Sequence, residues 1–206
     1  MSALAQEEQL QQQLPIEFAD EKESIKITGF WMFLVTDVLI FASLFSTYAV
    51  MHSSLAMGPS PTQLFKMGPV MLETLLLLTS SFTIGLSIYN MRKGNLNAMW
   101  WLLLLTIVLG AGFVSSEIND FISFAHLGAT WHTSAFLSAF DILVGTHGGH
   151  VTFGIFWAVT LLFQLRKRGI TPQTARKVYT FSLYWHFLDI VWIFIYTYVY
   201  LSGKIV

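Results

Sequence analysis

The chain has 206 residues, of which 54% are hydrophobic, 16% aromatic and 11% charged, with a formal net charge of −1 and a mean hydropathy of +0.60. A water-facing domain carries about 25% charged residues, so a soluble surface is excluded, and the charge balance gives no reason for a nucleic-acid partner. The absence of cysteine excludes disulfide scaffolds, thiolate zinc sites, iron–sulfur clusters and thiol catalysis.

Residues 1–24 form a polar tail, rich in Gln and Glu from Gln6 to Pro15 and acidic from Glu17 to Glu23. The tail lacks the basic start and apolar core of a signal peptide, and it reads as a solvated, weakly ordered arm that could lie on a partner subunit. Residues 25–206 then hold five apolar runs, each near the roughly 20 residues that cross a bilayer: Ile27 to Met51, Val70 to Met91, Ala98 to Phe121, Leu137 to Leu165, and Val178 to Leu201. The runs are long and continuous, without the period-2 alternation of a membrane barrel, so they predict helices. The expected fold is an all-α membrane protein, a bundle of five transmembrane helices.

Orientation follows from the Lys/Arg bias of the short connections. One side carries Lys22, Lys26, Arg92, Lys93, Arg166, Lys167, Arg168, Arg176 and Lys177, and the other only Lys66 and Lys204. That split of nine to two places the N-terminus in the cytoplasm, and an odd number of spans places the C-terminus outside.

A charge at mid-bilayer costs at least about 2.5–3.5 kcal/mol, so each ionisable residue within a span needs a reason. With a rise of about 1.5 Å per residue, Asp37 falls near the midplane of the first span. It reads either as an acid hydrogen-bonded across a helix interface or as a proton-handling or lipid-facing group. Glu73 and Glu117 fall near the outer surface, as wet interfacial carboxylates or as partners in a hydrogen bond between helices. His147 and His150, at i and i+3, share a helix face, and His186 and Asp189 repeat the spacing on the last span. The four could form a metal or haem site, or pair with one another because imidazoles and carboxylates in lipid need partners. His52, His126 and His132 read as loop residues. Gly145 and Gly149 form a GxxxG step with Gly148 and Gly154 beside it, a surface that permits close helix approach. On the last span, Trp185, Asp189, Trp192 and Tyr196 make one aromatic stripe suited to packing on protein.

These residues carry a family resemblance. Tyr184-Trp185-His186-Phe187-Leu188-Asp189-Ile190-Val191-Trp192 resembles the final-helix signature of subunit III of haem-copper terminal oxidases. His147-Gly148-Gly149-His150-Val151, followed by Gly154, is similar to that family's preceding-helix motif. The run Leu72-Glu73-Thr74 to Ser80, Glu117 after Ser115-Ser116, and Phe33 to Phe41 around Asp37 fall in the family's order, so the resemblance covers the chain from about Ile25 onward. Two departures stand out. Gly149 replaces a hydrophobic residue, which leaves a gap or lets a helix approach, and Asp37 stands where long mitochondrial-type members have a carbodiimide-reactive Glu. The chain also lacks the first two helices of the seven-helix form, and so is most similar to the five-helix subunit III of bacterial quinol oxidases.

The resemblance implies a non-catalytic subunit of a respiratory quinol oxidase in the bacterial plasma membrane, in a complex that reduces oxygen to water and pumps protons. Haem and copper belong to subunit I, with no redox cofactor in this chain and phospholipid as a bound component. Subunit I is the main partner, with subunits II and IV and membrane lipids as further contacts. On this reading Asp37 is a proton-related buried acid. Glu73, Glu117, His147, His150, His186 and Asp189 form a structural polar network, and Gly145, Gly148, Gly149, Trp185 and Trp192 serve helix packing. The alternatives are subunit III of a cytochrome c oxidase, a proton-coupled transporter, and a redox protein that uses His147, His150 and His186 as its own ligands.

Overall fold

The computed structural model describes residues 15–18, 21–52, 67–128 and 132–205. All regular structure among them is helical: a short 3-10 turn (Ile16–Phe18), then α1 (Glu21–Met51), α2 (Met67–Arg92), α3 (Leu96–His126), α4 (Ala135–Arg168) and α5 (Pro172–Ile195). α5 continues through one wider π-helical stretch, Tyr196–Leu201, into a last turn at Ser202–Ile205. Five of these helical stretches are long and apolar enough to cross a membrane: Ile25–Met51, Met67–Arg92, Leu96–His126, Ala135–Arg168 and Pro172–Leu201. Each runs a few residues beyond the corresponding apolar run, because polar and basic residues at the ends are helical too. His126, expected in a loop, is the last residue of α3.

Local chemistry fixes the helix ends. The Asn95 side chain caps α3 by accepting from Ala98 N, Ser134 caps α4 through Leu137 N, and Thr171 and Thr174 form a reciprocal capping box ahead of Pro172 on α5. The α2–α3 and α4–α5 connections are only a few residues long. Each turns on a glycine in the left-handed region, Gly94 (φ 72°) and Gly169 (φ 65°), where a side chain would be strained.

α4 and α5 form the centre. α5 packs on α1, α2 and α4, and α4 packs on α1, α3 and α5, while α2 and α3 run together as a hairpin. Going round the bundle, the order is α1, α4, α3, α2, α5. α5 has the largest buried share of the five and α1 the smallest. Two tryptophans of α5 key the interior. Trp185 fits against Gly110 of α3 and Gly154 of α4, where a Cβ on either glycine would come within 2.9 Å of the indole. Trp192 stacks edge-on against Phe113 of α3 at 4.7 Å. Hydroxyls join α2 to α3, with Thr83 and Thr106 side chains 2.8 Å apart and Ser87 Oγ donating to the Met99 carbonyl.

The tail reading needs a correction where the tail is described. Residues 1–14, like Lys66, lie outside the described residues, but the Ile16–Phe18 turn packs on α5 and α1 rather than standing in solvent. Glu17 is fully buried and accepts from Arg92 Nη2 at 2.7 Å and Nε at 3.1 Å. Pro15 and Ile16 give the segment enough apolar character to seat beside the bundle, and the guanidinium at the end of α2 holds the acid there.

This pair generates a test. Arg92→Gln removes the charged donor from a buried carboxylate, a loss of about 1–3 kcal/mol. The purified protein should then unfold at lower temperature by circular dichroism, and limited proteolysis should cut the tail sooner. Unchanged stability and cleavage would show that the pair does not anchor the turn.

Candidate functional site

The polar side chains of the spans converge on α5 from three sides. On the α2 side, Trp185 Nε1 donates to Ser80 Oγ at 2.9 Å and Trp192 Nε1 donates to Thr74 Oγ1 at 3.0 Å. Both hydroxyls pass their own proton to a carbonyl one turn back, Leu77 and Val70. The tryptophan stripe therefore faces the chain's own interior and satisfies its N–H groups within the bundle, so the protein it packs on is this chain's own α2. Ser80 and Thr74 were missed as partners because short hydroxyls on an apolar helix read as neutral filler.

On the α4 side, His147 is fully buried. Its Nε2 bonds the Leu188 carbonyl of α5 at 3.2 Å, and its ring lies against Trp192 (5.2 Å) and Phe113 (5.7 Å). His150 is half-buried, with Nδ1 2.7 Å from the Thr146 carbonyl of its own helix and its ring on Phe41 at 5.3 Å. The Tyr184 hydroxyl donates to the His150 carbonyl. The two imidazoles thus bond backbone rather than each other or an acid.

His186 points away from them, with Nδ1 2.6 Å from Ser81 Oγ of α2 and 3.9 Å from Asp189 Oδ2. The three histidines use separate partners and present no common ligand set, and among the described residues no three His, Asp or Glu side chains are grouped to hold a metal ion. The drawn metal or haem site of His147, His150, His186 and Asp189 is not assembled.

Asp37 is buried, with 4% exposure, and faces His150 of α4 and Tyr184 of α5. It is an interior acid and not a lipid-facing one. Glu73 and Glu117 are buried as well, with 1% and 5% exposure, so their reading as wet interfacial carboxylates is overturned. They meet across α2 and α3, beside Asp120. The Ser116 side chain hydrogen-bonds Glu73, and Tyr200, Phe140 and Val144 close the group in. The structural alternative, a polar contact between helices, is the one observed. Asp120 and Ser116 were missed as members of the group, although Asp120 sits one turn after Glu117 and Ser116 directly before it.

The glycines divide. A Cβ on Gly148 would collide with the Glu117 carboxyl, so Gly148 is the close-approach residue between α4 and α3. Gly149 has open space and Gly145 only a loose contact with Phe121, and both are exposed. The GxxxG step therefore does not pack within this chain, and helix packing falls to Gly148, Gly154 and Gly110.

Buried acids, backbone-bonded imidazoles and indole donors line the interior of a helical membrane scaffold, and comparison identifies whose it is. The family profile described as "Cytochrome c oxidase subunit III" matches residues 19–204. The chain belongs to the cytochrome c oxidase subunit III family. It is similar to "Quinol oxidase subunit 3" of Bacillus subtilis (strain 168), 50% identical over 189 residues that cover 92% of this chain and 93% of the relative. It is also similar to "Cytochrome c oxidase subunit 3" of Bacillus sp. (strain PS3), 47% identical over 180 residues and 87% of each chain. A third relative is "Cytochrome bo(3) ubiquinol oxidase subunit 3" of Pseudomonas putida, 45% identical over 177 residues and 86% of each chain. As a subunit III, the chain is a component of a terminal oxidase complex, an oxidoreductase, and the resemblance read from the final two spans is borne out.

The adjacent glycines give a paired test. Gly148→Ala drives a methyl into the Glu117 carboxyl, an overpacking cost of about 1–3 kcal/mol, whereas Gly149→Ala enters open space. The first should lower the amount of folded subunit in membranes and the second should leave it unchanged. Equal effects would contradict the assignment of Gly148 as the contact.

Proposed function

We propose that this chain is the non-catalytic subunit III of a bacterial quinol oxidase, a complex that oxidises quinol, reduces oxygen to water and translocates protons. One observation carries the quinol assignment. The match to "Quinol oxidase subunit 3" relatives is the more extensive, at 50% identity over 92% of this chain, against 47% over 87% for a cytochrome c oxidase relative. The second reading, subunit III of a cytochrome c oxidase, draws on that same close relative.

The residues of this chain then have a scaffolding role. Helix–helix hydrogen bonds and indole-on-glycine packing make a rigid body that can brace a catalytic neighbour. Haem and copper sit in subunit I, the main partner, with subunits II and IV completing the complex, and phospholipid fills what protein does not cover. The Lys/Arg-rich connections support a cytoplasmic N-terminus in a plasma-membrane protein, with the C-terminus outside.

Asp37 is the residue of this chain with a role in proton supply. It lies near mid-depth, buried and beside His150 and Tyr184, and its Oδ2 has no hydrogen-bond partner among the described residues.

Two measurements test the proposal. Oxygen consumption by the purified complex should be driven by quinol and not by reduced cytochrome c, and the converse pattern would transfer the chain to the second reading. Asp37→Asn should assemble normally yet shorten the lifetime of the complex during turnover. A turnover lifetime equal to wild type would reduce Asp37 to a structural residue.

A further inference from the structure

The bundle carries most of its positive charge at one end, and a cavity opens there. It lies between the start of α3 and the end of α4, has a volume of about 300 Å³, and is lined by Leu96, Asn97, Trp100, Trp101 and Arg166. Arg166 stands in the last turn of α4 with Lys167 and Arg168, and Lys93 lies between α2 and α3. The residues joining α2 to α3 and α4 to α5 include no Asp or Glu. Arg92 is matched by Glu17, but Arg166 makes no ion pair among the described residues.

The Arg166 guanidinium instead lies over the Trp100 ring, 5.6 Å from its centroid. Stacking of this kind holds the planar fork in place and leaves its N–H edge open to a second ligand. Leu96 and Asn97 are the first two residues of a helix of 31 residues, so the positive end of the α3 dipole meets the same cavity, and the Asn97 amide adds donors. Trp101 stands edge-on to Trp100 at 5.0 Å and is exposed. This aromatic pair at a span end sits at the level where headgroups meet acyl chains.

We propose that this cavity binds the phosphate of an anionic membrane phospholipid, with Arg166 as its charged contact. The inference rests on the reading of phospholipid as a bound component of this chain. A basic pocket between transmembrane helices at the Lys/Arg-rich membrane surface suits an acidic headgroup. Free phosphate offers Arg166 the same oxygens, but only a lipid also covers the exposed apolar stripe of Trp101, Leu105 and Val108 that runs down α3 from the cavity. The larger cleft between α1 and α4, lined by Phe30, Phe33, Phe153, Phe156 and Trp157 among others, has no charged side chain in its wall and gives a headgroup nothing to bind.

Photo-crosslinking in the intact oxidase complex tests the site. Benzoylphenylalanine replaces Trp101, which keeps an aromatic side chain there, and the complex is reconstituted in vesicles of equal phosphatidylglycerol and phosphatidylcholine. Lipid adducts on the chain are then read by mass spectrometry. Phosphatidylglycerol adducts should exceed phosphatidylcholine adducts by about fivefold, the weight of one basic side chain at an acidic headgroup. Arg166→Gln should bring the two lipids to parity, whereas Lys167→Gln, which removes an equal charge outside the cavity lining, should leave the preference in place. Exchange of chloride for inorganic phosphate at constant ionic strength should also leave it in place. A preference that survives Arg166→Gln, or that falls equally with Lys167→Gln, would overturn the site in favour of diffuse surface charge. Loss of the preference in inorganic phosphate would assign the cavity to a free anion, and adducts to another subunit would assign it to protein; either result defeats the proposal. Total phospholipid copurifying with the complex from cell membranes is measured separately. Lipid present without a preference at position 101 removes this site alone, whereas a complex that retains no phospholipid removes the underlying reading as well.

Discussion

Hydrocarbon offers no hydrogen bonds, and this constraint governs where every polar atom of the bundle can stand. α5 carries the greatest load of polar and aromatic side chains and is accordingly the most enclosed span. Its two indole N–H groups reach hydroxyls of α2, and its Leu188 carbonyl takes up His147 of α4. These bonds fix the rotation of α5 about its own axis. Once that rotation is set, Trp185 must lie over Gly110 and Gly154, and α3 and α4 can approach only because those positions lack a Cβ. Packing and hydrogen bonding therefore specify the same arrangement, the consistency expected of a foldable sequence.

The same rotation sends His186 outward. It is adjacent to Trp185 in sequence, and successive residues on a helix point about 100° apart, so an inward indole places the next side chain near the rim. The helix therefore has an inner side that closes the bundle and, at His186, a partly exposed polar edge. Asp37 shows a different compromise, an acid enclosed by α4 and α5 with one oxygen unbonded among the described residues.

Much of this was legible in the sequence. The five spans followed from composition, because long apolar runs have few other stable forms, and the family followed from the strings around His147–His150 and Trp185–Trp192. Boundaries came out short because polar and basic residues at the ends, such as Thr174 and Arg168, are helical too. Facing could not be read from one helix alone. The i, i+4, i+7 stripe of Trp185, Asp189 and Trp192 marks a shared side without saying whether α2 or a partner covers it, and Gly145–Gly149 matches a packing motif that no helix among the described residues meets closely. Burial of Glu73 and Glu117 was equally hidden, since depth along the membrane normal says nothing of position across the bundle. The Glu17–Arg92 pair joins residues 75 positions apart, a separation that no periodicity reveals.

As a member of the subunit III family, the chain is proposed to support a redox complex from outside its redox centres. Selective removal from the purified oxidase measures this directly. Detergent stripping of the chain should leave the haem spectrum and haem content of the remaining complex unchanged while its activity decays faster with each turnover. Loss of haem absorbance in proportion to the chain removed, with the haem recovered on the released chain, would contradict the account.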